Sequence, residues 1–214
     1  MLGENDLNDE PDCNFAECAA PVQRRRPVKK IIHENYDRHN IASQYDLALI
    51  RMDDMVVLSN GNLSVSAVTP ICLPWKPDHH WTPQLQENNM LTLTGWGNRS
   101  TPTLGENCDE FRPATGILQR VEVPYKTMDV CNRETHFKDL DPTSQICTGS
   151  LEDETQDSCN GQAGSPLVTR KVTDLPWFQV GVQSYGTANC DKGSSNIYTR
   201  VSEFLPWIER HLEP

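Results

Sequence analysis

Along the chain, short runs of alternating apolar and polar residues are separated by clusters of Pro, Gly, Asn and Asp. PVKKIIHENY (27–36), YDLALIRM (45–52), MLTLTGWG (90–97), GILQRVEVPY (116–125) and FQVGVQSYG (178–186) read as strands. A period of two turns one apolar face of a strand toward a core, and several such strands in succession predict an all-β sandwich or barrel. CLPWKPDHHWTPQLQEN (72–88) carries three prolines and little periodicity, which predicts an extended linker. Helical spacing emerges at the end, where VSEFLPWIERHL (201–212) puts Val201, Phe204, Leu205, Ile208 and Leu212 on one face of a docking helix. No internal repeat or low-complexity segment stands out.

At 214 residues the chain can form one large domain or two small ones. A formal net charge of −11 argues against a nucleic-acid surface, which needs a basic footprint. The basic cluster Arg24, Arg25, Arg26, Lys29 and Lys30 reads as a solvated strand edge, where cations block edge pairing. No run approaches the roughly 18 apolar residues of a membrane span, so no membrane partner is expected. Eight cysteines and two glycosylation sequons, at Asn62 and Asn98, favour an extracellular setting. Met1 is followed by polar LGENDLNDEPDC, so no signal peptide is present in this chain; the secretory signal is expected upstream or was not encoded here.

The segments YDLALIRM, TPICLP, LTGWG, QICTGS, DSCNGQAGSPLV, QSYG and IYTRVSEFLPWI stand in the order and spacing of the chymotrypsin-like serine proteases. The chain resembles that family over nearly its whole length. LGENDLNDEPDC and IIHENYD look most like the arthropod clip-domain proteases and their inactive homologues. The resemblance implies two antiparallel six-stranded β-barrels with a cleft between them and a C-terminal helix. The first barrel would be incomplete at its N-terminus: residues 1–72 form its remnant, 73–88 the linker, and 89–214 the second barrel and helix.

The family's chemistry needs a serine nucleophile, a histidine that takes its proton and an aspartate that orients the histidine. Asp46 matches the aspartate. Gly161, Gln162, Ala163, Gly164, Ser165 and Pro166 occupy the nucleophile loop, so the resemblance puts Ala163 at the serine position and Gln162 where the family has an acid. The triad histidine has no match: His33, His39, His79, His80, His136 and His211 all lack its context. The amides of Gly161 and Ala163 would outline an anion hole. Asp157 matches the acidic pocket base of members that prefer Arg or Lys, and Ser184, Tyr185 and Gly186 match the strand that pairs with substrate backbone. Asn196 falls where such pockets usually have glycine, and its side chain is expected to occlude the pocket and bond Asp157.

The same resemblance selects the pairings Cys131–Cys147 and Cys159–Cys190, and the short CNFAEC loop suggests Cys13–Cys18. Cys72 matches the cysteine that ties the domain to an upstream pro-region or light chain, and Cys108 is left over. No cofactor is expected. LGENDLNDEPDC resembles the calcium loop of some members, with Glu4, Asp6, Asp9, Glu10 and Asp12 as oxygen donors; a solvated acidic turn is the alternative. His79 and His80 read as surface imidazoles.

Three functions follow. The favoured one is not an enzyme: a degenerate serine endopeptidase, a pseudo-protease that binds or regulates proteases or zymogens in extracellular immune or developmental proteolysis. The others are an active trypsin-like endopeptidase and a fragment of a longer secreted protein with no function of its own.

Overall fold

In the computed structural model, the described residues are 1–13, 18–40, 44–59, 68–75, 85–96, 99–100, 116–134, 140–149, 157–158, 163–170, 176–186 and 195–212. The strands are β1 (Pro27–Ile32), β2 (Ala48–Met52), β3 (Met90–Gly95), β4 (Arg99–Ser100), β5 (Gln119–Lys126), β6 (Gln145–Thr148), β7 (Asp157–Ser158), β8 (Pro166–Thr169), β9 (Phe178–Gly186) and β10 (Asn196–Arg200). Helix α1 (Met128–Glu134) follows β5, and a 3-10 turn (Val201–Glu203) leads into α2 (Leu205–Arg210). The expected all-β architecture is present. Six strands close an antiparallel barrel in the order β10-β6-β5-β3-β8-β9, and β1 pairs with β2 where the incomplete first barrel was expected.

The barrel closes around side chains delivered by strand alternation. Leu91 and Leu93 from β3 meet Val121 and Val123 from β5, with Ile146, Leu167, Val180 and Tyr198 completing the core. Thr92, pointing the other way, is also buried and donates its hydroxyl to Glu122 Oε1 at 2.9 Å. The strands approach closely at Gly181, where a Cβ would come 3.0 Å from Tyr198 Cβ and 3.3 Å from Leu167 Cβ. A larger residue there would push two barrel strands apart.

The N-terminal ribbon β1–β2 has two unlike faces. Ile31 and Leu49 turn inward with Tyr45 and Leu47 onto Val201, Phe204, Leu205, Trp207 and Ile208, so the ribbon packs on the C-terminal helix. Its outer face leaves Val28, Ile32, Ile50 and Met52 exposed. The basic cluster beside it is partly engaged: Arg24 contacts Glu10, Arg25 donates to Met55 O at 2.9 Å, and Arg26 pairs with Asp53 at 3.2 Å. Among the described residues no helix is long and apolar enough to cross a membrane.

The terminal helix is shorter than its periodicity predicts. Val201, Phe204, Leu205 and Ile208 are buried as expected, but α2 ends at Arg210 and Leu212 is exposed. Trp207 takes the fifth place in the apolar stripe. Two expected disulfides are formed, Cys13–Cys18 and Cys131–Cys147, with Cα separations of 4.0 and 6.5 Å. The second staples α1 to β6 and is buried with Leu140 and Ile197. Cys159, Cys190, Cys108, His79, His80, Asn62 and Asn98 lie outside the described residues.

Closing the loop of 16 residues between Cys131 and Cys147 restricts the unfolded chain. Replacing both with alanine should lower unfolding free energy by about 3 kcal/mol, read from urea denaturation. An unchanged midpoint and slope would show that the cross-link does not stabilise the fold.

Candidate functional site

Asp46 stands at the entrance to β2. Its Oδ2 accepts the Ser184 hydroxyl at 2.6 Å, and its backbone carbonyl accepts the Thr199 hydroxyl at 2.8 Å. Two barrel strands, β9 and β10, therefore hold one residue of the N-terminal ribbon from both side chain and backbone. A hydroxyl given to a carboxylate makes a shorter, stronger bond than a neutral pair, which fits the 2.6 Å separation. The sequence reading assigned Ser184 to a substrate-pairing strand and missed this bond; Thr199 it missed altogether. No spacing rule could have found either partner, because they lie 138 and 153 residues away from Asp46.

Ala163 sits exposed in a turn immediately before β8. Gly164 adopts φ +89°, a conformation that costs glycine little, and open space surrounds the position of its absent Cβ. The turn is tied to β9 by two backbone bonds, Gly164 N–H to Gln183 O at 2.8 Å and Gln183 N–H to Ser165 O at 2.9 Å. Residue 163 is thereby fixed beside the residue preceding Ser184. Its methyl cannot act as a nucleophile. Gly161 and Gln162 lie outside the described residues.

Asn196 and Gly186 face each other across β10 and β9. Asn196 is buried, and its Oδ1 lies 2.1 Å from where a Cβ on Gly186 would stand. The amide thus occupies the space that the absence of a side chain at Gly186 leaves open. Beside it, Gln145 Nε2 donates to the Tyr185 hydroxyl at 3.4 Å, and burial raises the Tyr185 phenol above its ordinary pKa. Asp157 is placed by its backbone opposite Ser100 in the β4–β7 ribbon.

In the acidic N-terminal loop, Asp6 and Asp12 already serve amides of the loop itself. Both carboxylate oxygens of Asp12 accept backbone N–H groups, from Asn5 at 2.9 Å and Asp6 at 3.0 Å. Asp6 Oδ1 accepts the backbone and side-chain amides of Asn8, each at 3.0 Å. Oxygens that close their own loop are not gathered on a shared centre, and no cluster of three or more His, Cys, Asp or Glu suited to a metal occurs among the described residues.

Comparison with known proteins accounts for this arrangement. The family model described as Trypsin matches residues 17–208. The chain is 30% identical over 214 residues to Serine protease 7 of Drosophila melanogaster, covering 100% of this chain and 49% of that protein. It is 34% identical over 214 residues to CLIP domain-containing serine protease HP8 of Bombyx mori, covering 99% of this chain and 53% of that protein. Spaetzle-processing enzyme of Drosophila melanogaster is 33% identical over 227 residues, covering 100% of this chain and 50% of that protein. The chain thus spans about half the length of these relatives.

These relatives correct the expectation that the chain is no enzyme but a degenerate serine endopeptidase. They are named as serine proteases or a processing enzyme, and they match this chain across nearly all its length. What Ala163 excludes is its own side chain as nucleophile; one side chain does not carry a class assignment against the whole match. By that match, and by the barrel, the ribbon and the Asp46 junction that embody it, the chain belongs to the trypsin family of serine proteases.

Proposed function

We propose that this chain is the trypsin-like module of an extracellular proteolytic cascade, and that its cleft engages proteases or zymogens of that cascade as protein partners. The observation that carries this reading is the 34% identity, over 99% of the chain, to a CLIP domain-containing serine protease. Two disulfides and the sequons at Asn62 and Asn98 support the extracellular setting. Cys72, a free cysteine among the described residues, is suited to join the module to an upstream segment of the parent protein.

The cleft reading assigns Asp46 to the triad, the amides of Gly161 and Ala163 to an anion hole, and Asp157 to the base of a side-chain pocket. Ser184, Tyr185 and Gly186 supply the edge that pairs with an extended substrate. Asn196 narrows the pocket, because its buried amide fills the space over Gly186. A cationic side chain must then displace a packed amide to reach Asp157. A partner would be held mainly by backbone pairing along β9 and by contacts outside the pocket.

Two measurements test this reading. Immobilised full-length chain should bind at least one clip-domain protease zymogen with a Kd of about 1 μM or tighter. Equal, weak binding to clip-domain zymogens and to an unrelated digestive trypsinogen would remove the cascade assignment. Separately, calorimetry should show that Asn196→Gly strengthens benzamidine binding at least about tenfold, equivalent to ~1.4 kcal/mol. Tight benzamidine binding by the unmodified chain would show that Asn196 does not obstruct the pocket.

A further inference from the structure

His33 sits in the turn that leaves β1, at the contact between the N-terminal ribbon and the C-terminal helix. It is 8% exposed and enclosed by rings on three sides. Tyr45 stacks on it at 4.9 Å between centroids, Trp207 lies tilted at 5.0 Å, and Phe204 presents an edge at 5.4 Å. Its Nδ1 accepts the Asn35 backbone N–H at 3.2 Å. That bond requires an unprotonated Nδ1, so the packed form is the neutral imidazole with its proton on Nε2.

The same turn is fastened to α2 a second time. Trp207 Nε1–H donates to Glu34 Oε2 at 2.7 Å. Beyond Trp207, His211 lies tilted against it at 4.7 Å and donates Nδ1–H to Trp207 O at 2.8 Å. On the other side, His33 N–H donates to Leu47 O at 3.0 Å. Asp46 therefore lies between Tyr45, which stacks on His33, and Leu47, which holds its backbone.

We propose that the His33 turn is an acid-sensitive clasp: protonating the imidazole loosens the β1–β2 ribbon from the C-terminal helix, and with it the seat of Asp46 in the cleft. Protonation turns Nδ1 from acceptor to donor and sets it against the Asn35 N–H. It also places a charge in a buried site.

The groups facing the imidazole act in opposite directions. Burial lowers its pKa, and this effect is the largest; Glu34 raises it, while Arg210 and His211 on α2 lower it. The faces of Tyr45 and Trp207 attract a cation, but Trp207 already turns its N–H to Glu34. The net direction is downward from the ordinary value of about 6.5. The unfolded chain then binds more protons than the folded one in this range. The clasp's contribution is complete above pH ~6.5 and declines as pH falls toward the lowered value. Glu34 weakens the contact in a separate, lower window, because its own backbone amide and the Trp207 indole hold its carboxyl below the usual carboxylate range.

The test is an NMR titration of the full chain between pH 8 and 5, with amide hydrogen exchange corrected for the intrinsic rate. His33 should show the Nε2–H tautomer and titrate below 6.5. Protection of the Ile208 and His211 amides should fall by about threefold to tenfold between pH 7.5 and 5.5, tenfold being about the limit for one proton in that span. His33→Phe, which keeps a ring in the aromatic box, should abolish the fall. An Nδ1–H tautomer, titration at or above 6.5, or pH-independent protection in the unmodified chain would overturn the proposal. So would an undiminished fall in His33→Phe, which would assign it to His211 or another group. If that variant does not fold, the tautomer, pKa and exchange of the unmodified chain still decide.

Discussion

The bond between Asp46 and Ser184 is where the two halves of this chain become one site. Asp46 belongs to an N-terminal ribbon with only two strands among the described residues, and such a hairpin has little stability alone. Its position is borrowed from the closed barrel. The barrel strands β9 and β10 grip Asp46 by side chain and backbone, and the neighbouring Leu47 joins an apolar cluster with Phe204, Trp207 and Ile208. Without the barrel and the terminal helix, nothing on the ribbon would fix that carboxylate.

The other cleft features follow from the same barrel edge. β9 ties the turn carrying Ala163 through Gln183, offers Ser184 to Asp46, and ends at Gly186, whose empty side is filled by Asn196. Three positions of one strand thus hold the turn, the Asp46 carboxylate and the Asn196 amide. The family membership and the local chemistry therefore answer different questions: the first gives the class of protein, and the second the bonds that hold these residues in place.

Much of this was legible in the sequence where local rules operate. Alternation located β1, β2, β3, β5 and β9, and the family resemblance implied the Cys131–Cys147 pairing. It failed for β6 and β8, QICT and PLVT, and for β10, NIYTR. β6 is buried at all four positions and β10 at four of five, so neither shows a polar–apolar alternation. β8 is short and begins with proline, a residue that argues against a central strand. Leu212 was placed on the helix by its period, but the helix stops first, and the indole of Trp207 fills the groove instead. Flanking segments singled out Asp46 and Asn196 as candidates, whereas the bonds of Thr199 and Ser184 to Asp46 depend on contacts that only the fold creates. In the acidic loop, composition shows the carboxylates and hides the amides that Asp6 and Asp12 serve.

The most direct test of the account is a double-mutant cycle on Asp46→Ala and Ser184→Ala, with stability measured by urea denaturation of the full chain. A hydrogen bond to a charged acceptor at a part-buried junction should give a coupling energy of about 1–3 kcal/mol. Additive effects, with no coupling between the two positions, would contradict the claim that this bond joins the ribbon to the barrel.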